Sequence, residues 1–383
     1  MTESWLASPA FTIMMVGSLV GVATSVLGVF LVLRQNSMLT DAISHSVLLG
    51  IVVMFFIIGD SASPLLLVGA AGAGVLTVYL TELLHGSGRV KQDAAIGLVF
   101  PALFALGVLL ISLYARNVHI DTHAVLLGEI GFAWLDTIEV FGVRLARSLG
   151  VMAVVTAINV LFVAVFFKEL KIVTFDPALA LALGFSPTLF HYLLLSLTSV
   201  TAVGAFDAVG AILVIAFFIV PPAAAYLLTD RLWLLLVYAA GIAVSASISG
   251  YYLAVLLDVS IGGMMATMTG VFLLGAFIAS PRHGLVTQEL RRQGQRLANA
   301  QRLLVVHLYS HENAGSSEQE NAVQALQSHL HWSSAKAEQV LSRSLKQGLV
   351  SKDHSGEQLY LTERGRSLAR EVLEPWHATR ARA

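Results

Sequence analysis

Residues 11–59 read FTIMMVGSLVGVATSVLGVFLVLRQNSMLTDAISHSVLLGIVVMFFIIG. The run 11–33 carries no charged residue, and its 23 residues suffice for a helix to cross a bilayer core, which takes about 17–25 residues. Arg34 interrupts it, and a second apolar run covers 41–59. Two spans joined by a short polar turn are the smallest unit of a polytopic membrane protein. The pattern recurs near 64–84, 95–114, 148–167, 188–203, 208–228, 232–256 and 262–280. Nine spans are expected, with the sixth, 188–203, the shortest.

The composition agrees. Of 383 residues, 12% are charged and 56% hydrophobic, and the mean hydropathy is +0.78. Soluble domains carry roughly 25% charge and about 45–50% apolar residues, so an ordinary water-soluble enzyme is excluded. The absence of cysteine excludes disulfides, thiolate metal sites and cysteine nucleophiles together; a metal would be held by oxygen and nitrogen. The net charge of −1 conceals a division: 10 Lys+Arg against 14 Asp+Glu in residues 1–283, and 13 against 10 in residues 284–383, giving −4 and +3. A membrane domain over 1–283 is therefore expected to precede a charged, water-soluble domain over 284–383. The start Met1-Thr2-Glu3-Ser4-Trp5 has no basic residue, so the first apolar segment is expected to remain in the mature protein.

Alternating spans collect Arg34, Arg89, Lys91, Lys168, Lys171, Arg231 and Arg282 on one side and Arg116, Arg144 and Arg147 on the other, seven against three. Lys and Arg accumulate in cytoplasmic loops, which predicts an outside N-terminus and a cytoplasmic C-terminal domain. Gly17 and Gly21 form a GxxxG pair, and Gly69, Gly72 and Gly74 leave a smooth stripe for helix packing. Pro101 and Pro221-Pro222 are expected to interrupt their helices.

An ionisable group inside a bilayer costs roughly 2.5–3.5 kcal/mol on insertion scales, so each needs a partner or a task. Asp41 and His45 are four residues apart, hence on one face of a helix and one turn separated. A carboxylate and an imidazole so placed can coordinate a divalent transition metal, or Asp41 can cap the second span and His45 bond to it. Asn117-Val118-His119-Ile120-Asp121-Thr122-His123 has ligand-like spacing but reads as a polar loop. His191, Asp207 and Asp258 lie near span ends, where contact with water accounts for them.

Between the fifth and sixth spans, residues 175–185 read FDPALALALGF. Asp176 suits an N-cap, Pro177 the first helical turn, and Gly184 a C-terminal stop. A two-turn helix with an apolar side, displayed in a cytoplasmic loop, fits a docking element for a soluble partner.

These stretches resemble the permease subunits of bacterial ATP-binding-cassette (ABC) importers for manganese, zinc and iron. GVFLVLR at 28–34 followed by DAISHSVLLG at 41–50, QDAAIGLVF at 92–100, FDPALALALGF, and VGAILVIAFFIVPPAAAYLLT at 209–229 are similar to that family's segments in the same order. Leu49 stands where the family usually has proline, and Ala182 near an often basic position. The resemblance implies an all-α, type II importer-like bundle with no enzymatic activity of its own. The chain contains no GxxxxGK[ST] loop, and ATP would be hydrolysed in a separate subunit. It further implies Asp41 and His45 as metal contacts, and Phe175, Asp176, Pro177, Ala178, Leu179 and Gly184 as the coupling segment for cytoplasmic ABC ATPase subunits. An extracytoplasmic metal-binding protein and a second permease copy or paralogue are the other implied partners, at the bacterial inner membrane. Mn²⁺, or else Zn²⁺ or Fe²⁺, is the implied cargo, and no cofactor is bound permanently. Two other functions fit the same sequence: import of a siderophore-type metal chelate, and a membrane-tethered, metal-responsive transcription regulator.

In residues 284–383 the pattern predicts a helix from Thr287 to Ser310, a polar break over 311–320 and a second helix from Asn321 to His329. A helix capped by Ser333-Ser334 and closed at Gly348 follows, then two strands flanking 352–357. This order describes a small α+β winged helix, and KQGLVSKDHSGEQLYLTERGRSLAREVL at 346–373 resembles the wing region of iron- and manganese-dependent repressors. A domain charge of +3 with Glu338 in the helix 333–347 is weak for phosphate neutralisation, so nucleic acid is not the expected partner.

Overall fold

The computed structural model describes residues 8–60, 63, 65–114, 130–140, 143–280, 284–314, 330–353 and 358–380. The chain divides into two compact units, Met1–Gly284 and Leu285–Ala383.

The first unit is a helical bundle. Its long helices are α1 (Pro9–Leu33), α2 (Met38–Ile58), α3 (Leu66–Gly86), α4 (Gln92–Tyr114) and α5 (Arg147–Val165). Two short helices, α6 (Phe167–Phe175) and α7 (Pro177–Ala182), lead into α8 (Pro187–Val209), α9 (Ala211–Leu228), α10 (Leu232–Leu257) and α11 (Ile261–Ala279). Among the described residues, nine helices are long and apolar enough to cross a membrane, the number expected. A 3-10 turn, Ile130–Phe132, and an antiparallel pair β1 (Thr137–Val140) and β2 (Val143–Ala146) precede α5. The sequence pattern did not suggest that hairpin.

Local chemistry sets several helix ends. Ser8 Oγ accepts from Phe11 N at 3.3 Å, with Pro9 at the first position of α1. Gly210 closes α8 at φ +86°. The sixth span, expected over 188–203, runs from Pro187 to Val209, and its polar residues find partners. Ser199 Oγ donates to Ala71 O at 3.2 Å, and Thr201 Oγ1 accepts from Asn159 Nδ2 at 2.8 Å. Satisfied in this way, hydroxyls cross an apolar medium as part of the helix. Pro101 and Pro221-Pro222 lie inside continuous α4 and α9 rather than interrupting them. Proline removes one donor but keeps a helical φ, and spanning helices accommodate it.

α1 is the hub, packing against α5, α8, α9 and α10. Gly17 faces Met265 and Gly21 faces Ala243. The α2–α3 pair approaches closely at Gly50 and Gly69, where a Cβ on either would collide with the other's carbonyl oxygen. Gly74 meets Ser199, whereas a Cβ at Gly72 would enter open space, so the expected smooth stripe is used at two of its three positions. Gly50→Val should therefore lower the thermal stability of the detergent-solubilised protein by about 3 kcal/mol or more, as overpacking against backbone does. Gly72→Ala should leave the unfolding midpoint unchanged.

The second unit contains α12 (Leu285–Ala314), α13 (Ser334–Lys346), the antiparallel strands β3 (Val350–Lys352) and β4 (Leu359–Leu361), and α14 (Glu363–Arg380). Leu304, Val305, Leu308, Val340, Leu359 and Ala369 form its core. Ser333 caps α13 by accepting from Lys336 N at 3.4 Å, and Gly348 has φ +64°, both as expected. α12 runs past Ser310 to Ala314. His311 packs its ring one turn from that of His307, centroids 4.5 Å apart, and Glu312 takes a two-pronged bond from Arg366 at 2.6 and 3.2 Å. That guanidinium holds the Glu312 carboxyl below the usual carboxylate range. The helix expected at 321–329 lies outside the described residues.

Candidate functional site

Asp41 and His45 face each other on α2. Asp41 is in the first turn, where a carboxylate is favoured by the helix dipole, and His45 Nε2 lies 3.5 Å from its Oδ1. The imidazole is oriented from α4: it stacks on Phe100 at a centroid distance of 5.6 Å and meets the edge of Phe104 at 6.2 Å. Ser37, not Asp41, occupies the N-cap position of α2, and it makes no side-chain capping bond. The Asp41 side chain is thus available to His45. The side chains of His45 and Asp41 keep 45% and 43% of their surface, so the pair opens outward from the single chain. Among the described residues no group of three or more His, Cys, Asp or Glu is placed to share a metal. The pair supplies one oxygen and one nitrogen donor, the ligand types that suit manganese, zinc and iron without sulfur; four or more donors require further groups. The His119–Asp121–His123 cluster lies outside the described residues.

The predicted short helix is α7. Asp176 Oδ1 accepts from Leu179 N at 2.9 Å, and Pro177 occupies the first helical position. At the other end Phe185 N bonds to Ala180 O at 2.9 Å and Gly184 N to Leu181 O at 3.0 Å, with Gly184 at φ +85°. These two bonds are a Schellman closure, which needs a residue tolerant of positive φ at Gly184. The helix is six residues long. Ala180 is fully buried beneath it, while Phe175, Leu179, Leu181 and Leu183 are 61%, 47%, 64% and 54% exposed. Ala178 is exposed as well.

One end of the bundle gathers polar residues that spacing did not reveal. Glu82 on α3 and His191 on α8 lie 3.1 Å apart. Gln92 Nε2, at the start of α4, donates to Asn36 Oδ1 at 2.5 Å. Arg34 Nε donates to Thr174 Oγ1 at 3.1 Å, and burial pulls that guanidinium down to about 10. All six line a cavity of about 480 Å³. An Arg, a Glu and a His flanking long apolar runs were the available signal; Glu82 and His191 meet across 109 residues of sequence, and Arg34 meets Thr174 across 140.

The model of the "ABC 3 transport family" matches residues 9–280. The "Zinc transport system membrane protein TroD" of Treponema pallidum (strain Nichols) is 50% identical over 362 residues, 94% of this chain and 98% of its own length. The "Manganese transport system membrane protein MntD" of Bacillus subtilis (strain 168) is 49% identical over 290 residues, 76% of this chain and 96% of its own. The solved structure "PsaBC from Streptococcus pneumoniae in complex with Fab" superposes with a TM-score of 0.60 at 29% identity, covering 73% of this chain and 94% of that one. The agreement thus runs over the whole apolar bundle from α1 to α11, and the chain is a membrane permease belonging to the ABC 3 transport family.

Proposed function

We propose that the chain is the permease subunit of an ATP-driven importer that carries a divalent transition-metal ion, Mn²⁺ first, with Zn²⁺ and Fe²⁺ as the alternatives. The observation that carries this reading is the Asp41–His45 pair, one turn apart on a helix with no other ionisable residue and braced from α4 by Phe100 and Phe104. Among the described residues one chain brings two donors together, and the site is read as completed by the symmetry-related pair of a second copy or by a paralogue's equivalent, with water. A two-fold arrangement of permeases places the same patch of both subunits face to face. The names of TroD and MntD support the cargo class.

The exposed apolar side of α7, with Phe175, Asp176, Pro177, Ala178, Leu179 and Gly184, docks the cytoplasmic ATPase subunit, and an extracytoplasmic binding protein delivers the ion. The charge bias of the loops supports an outside N-terminus and a cytoplasmic second unit in the bacterial inner membrane. The second unit, with its helices, two-stranded hairpin and following helix, is read as a winged helix with a regulatory or ATPase-contacting task.

The test is cellular metal content by mass spectrometry, in a strain lacking its own manganese, iron and zinc importers. The chain is expressed with its ATPase and binding protein. Manganese should rise about ten-fold or more over the strain without the permease, the equivalent of lowering the barrier to entry by about 1.4 kcal/mol. A chain ending at residue 284 should retain at least about half of that rise, a change under 1 kcal/mol. MntD supports the second expectation: 290 residues make up 96% of it, too few for counterparts of both units. No rise in any metal from an assembled complex would overturn the reading.

A further inference from the structure

We infer that Arg34 is a positioning residue that ties the ATPase-docking segment to the two helices holding the cation site, through Thr174 on one side and the Asn36–Gln92 bond on the other. The inference rests on the function proposed above and adds to it the path by which the nucleotide-driven motion reaches the metal.

The contacts form a continuous chain. Thr174 is the penultimate residue of α6 and directly precedes Phe175 and Asp176; its hydroxyl accepts from Arg34 Nε at 3.1 Å. Arg34 opens the turn between α1 and α2. That turn is held tightly: Asn36 N bonds to Leu31 O at 2.8 Å and Leu39 N to Asn36 O at 3.1 Å. Gln35 takes φ +60°, a conformation that costs a non-glycine residue about 1 kcal/mol and persists where the surroundings over-determine it. Asn36 is 5% exposed and fastens the turn to Gln92, the first residue of α4. Leaving the turn, α2 carries Asp41 and His45 in its first turns, and α4 carries the two phenylalanines that orient His45. A displacement of the docking segment therefore acts on both walls of the site through one side chain.

Stability alone does not explain an arginine here. One terminal nitrogen of Arg34, Nη2, is buried without a hydrogen-bond partner among the described residues, and an unpaired buried donor on a cation is costly. An apolar residue of similar length would pack into the same space without that penalty. The guanidinium also borders the cavity of about 480 Å³ whose lining includes the Glu82 carboxylate, which leaves room for a second position of the side chain. Energetic coupling needs such an element with two arrangements rather than mere adjacency.

The experiment uses the full complex of permease, ATPase and binding protein in proteoliposomes, with radioactive Mn²⁺ inside-counted and ATP hydrolysis measured together. Thr174→Val keeps the shape and removes the acceptor; Thr174→Ser restores it; Arg34→Ala removes the donor. The expected result is that Thr174→Val and Arg34→Ala keep ATP hydrolysis and ATPase co-purification within about two-fold of the parent. Their Mn²⁺ transported per ATP should fall about ten-fold, within the usual range of coupling between sites. The double variant should be no worse than either single one, as for two ends of one interaction, and Thr174→Ser should transport normally. If Arg34→Ala does not fold, the Thr174 pair alone decides. A parent-like transport-to-ATP ratio in folded Thr174→Val overturns the inference while leaving the importer reading intact. An assembled parent complex that moves no metal overturns both.

Discussion

The double substitution Asp41→Asn/His45→Ala should abolish metal accumulation while leaving the permease folded and bound to its ATPase. Asparagine keeps the size and one oxygen of Asp41 but removes the charge by which it would bind a divalent cation; alanine removes the imidazole nitrogen that faces it at 3.5 Å. In a paired permease the change deletes both donors from each half of the site at once. Outer partners of metal ligands already contribute about 10–100-fold in affinity, so losing the ligands themselves should lower uptake by about 100-fold or more. Folding should survive because both side chains are partly exposed on the single chain, and removing an intramembrane charge relieves an insertion cost rather than adding one. The measurement is initial-rate uptake of radioactive Mn²⁺ into vesicles at matched permease content. Uptake at the parental rate would discard these two residues as the site and leave membership of the ABC 3 transport family untouched.

Leu179→Asp combined with Phe175→Ala should release the ATPase from the purified complex. The two side chains are 47% and 61% exposed; Leu179 lies on α7, whose backbone is already closed by the Asp176 cap and the Gly184 stop, and Phe175 ends α6 just before that cap. They therefore contribute little to packing within the chain. Anchors of this kind at the centre of an interface are worth about 2 kcal/mol or more each when lost, about 30-fold in affinity per residue. A carboxylate at position 179 adds the desolvation of an unpaired charge. Co-purification and ATP hydrolysis stimulated by the binding protein should both disappear, with the thermal midpoint of the permease alone unchanged. Normal ATPase recovery from the variant would move the docking surface elsewhere on the same end of the bundle.

Much of this was legible in the residue string. The nine apolar helices follow from length and hydropathy, which are local quantities. The caps of α7 were equally plain, because Asp176, Pro177 and Gly184 act on backbone groups within a few residues of themselves. The i,i+4 spacing of Asp41 and His45 also suffices to place them together, since one helical turn does so whatever the rest of the fold. The prolines misled for a related reason: a missing donor is visible in sequence, whereas a spanning helix that simply continues past it is not.

Sequence by itself thus determined what the chain builds locally: membrane helices, their ends, and pairs within one turn. Tertiary structure alone decided which helix faces meet. Glu82 reaches His191 across 109 residues, Arg34 reaches Thr174 across 140, and Asn36 reaches Gln92 across 56. Phe100 and Phe104 become the brace for His45 only once α4 lies beside α2. The physical reason is that these helices are apolar nearly all round, so periodicity singles out no inward face. In a medium as apolar as the side chains themselves, close approach at small residues such as Gly50 and Gly69 and a few polar bonds select each helix's neighbour.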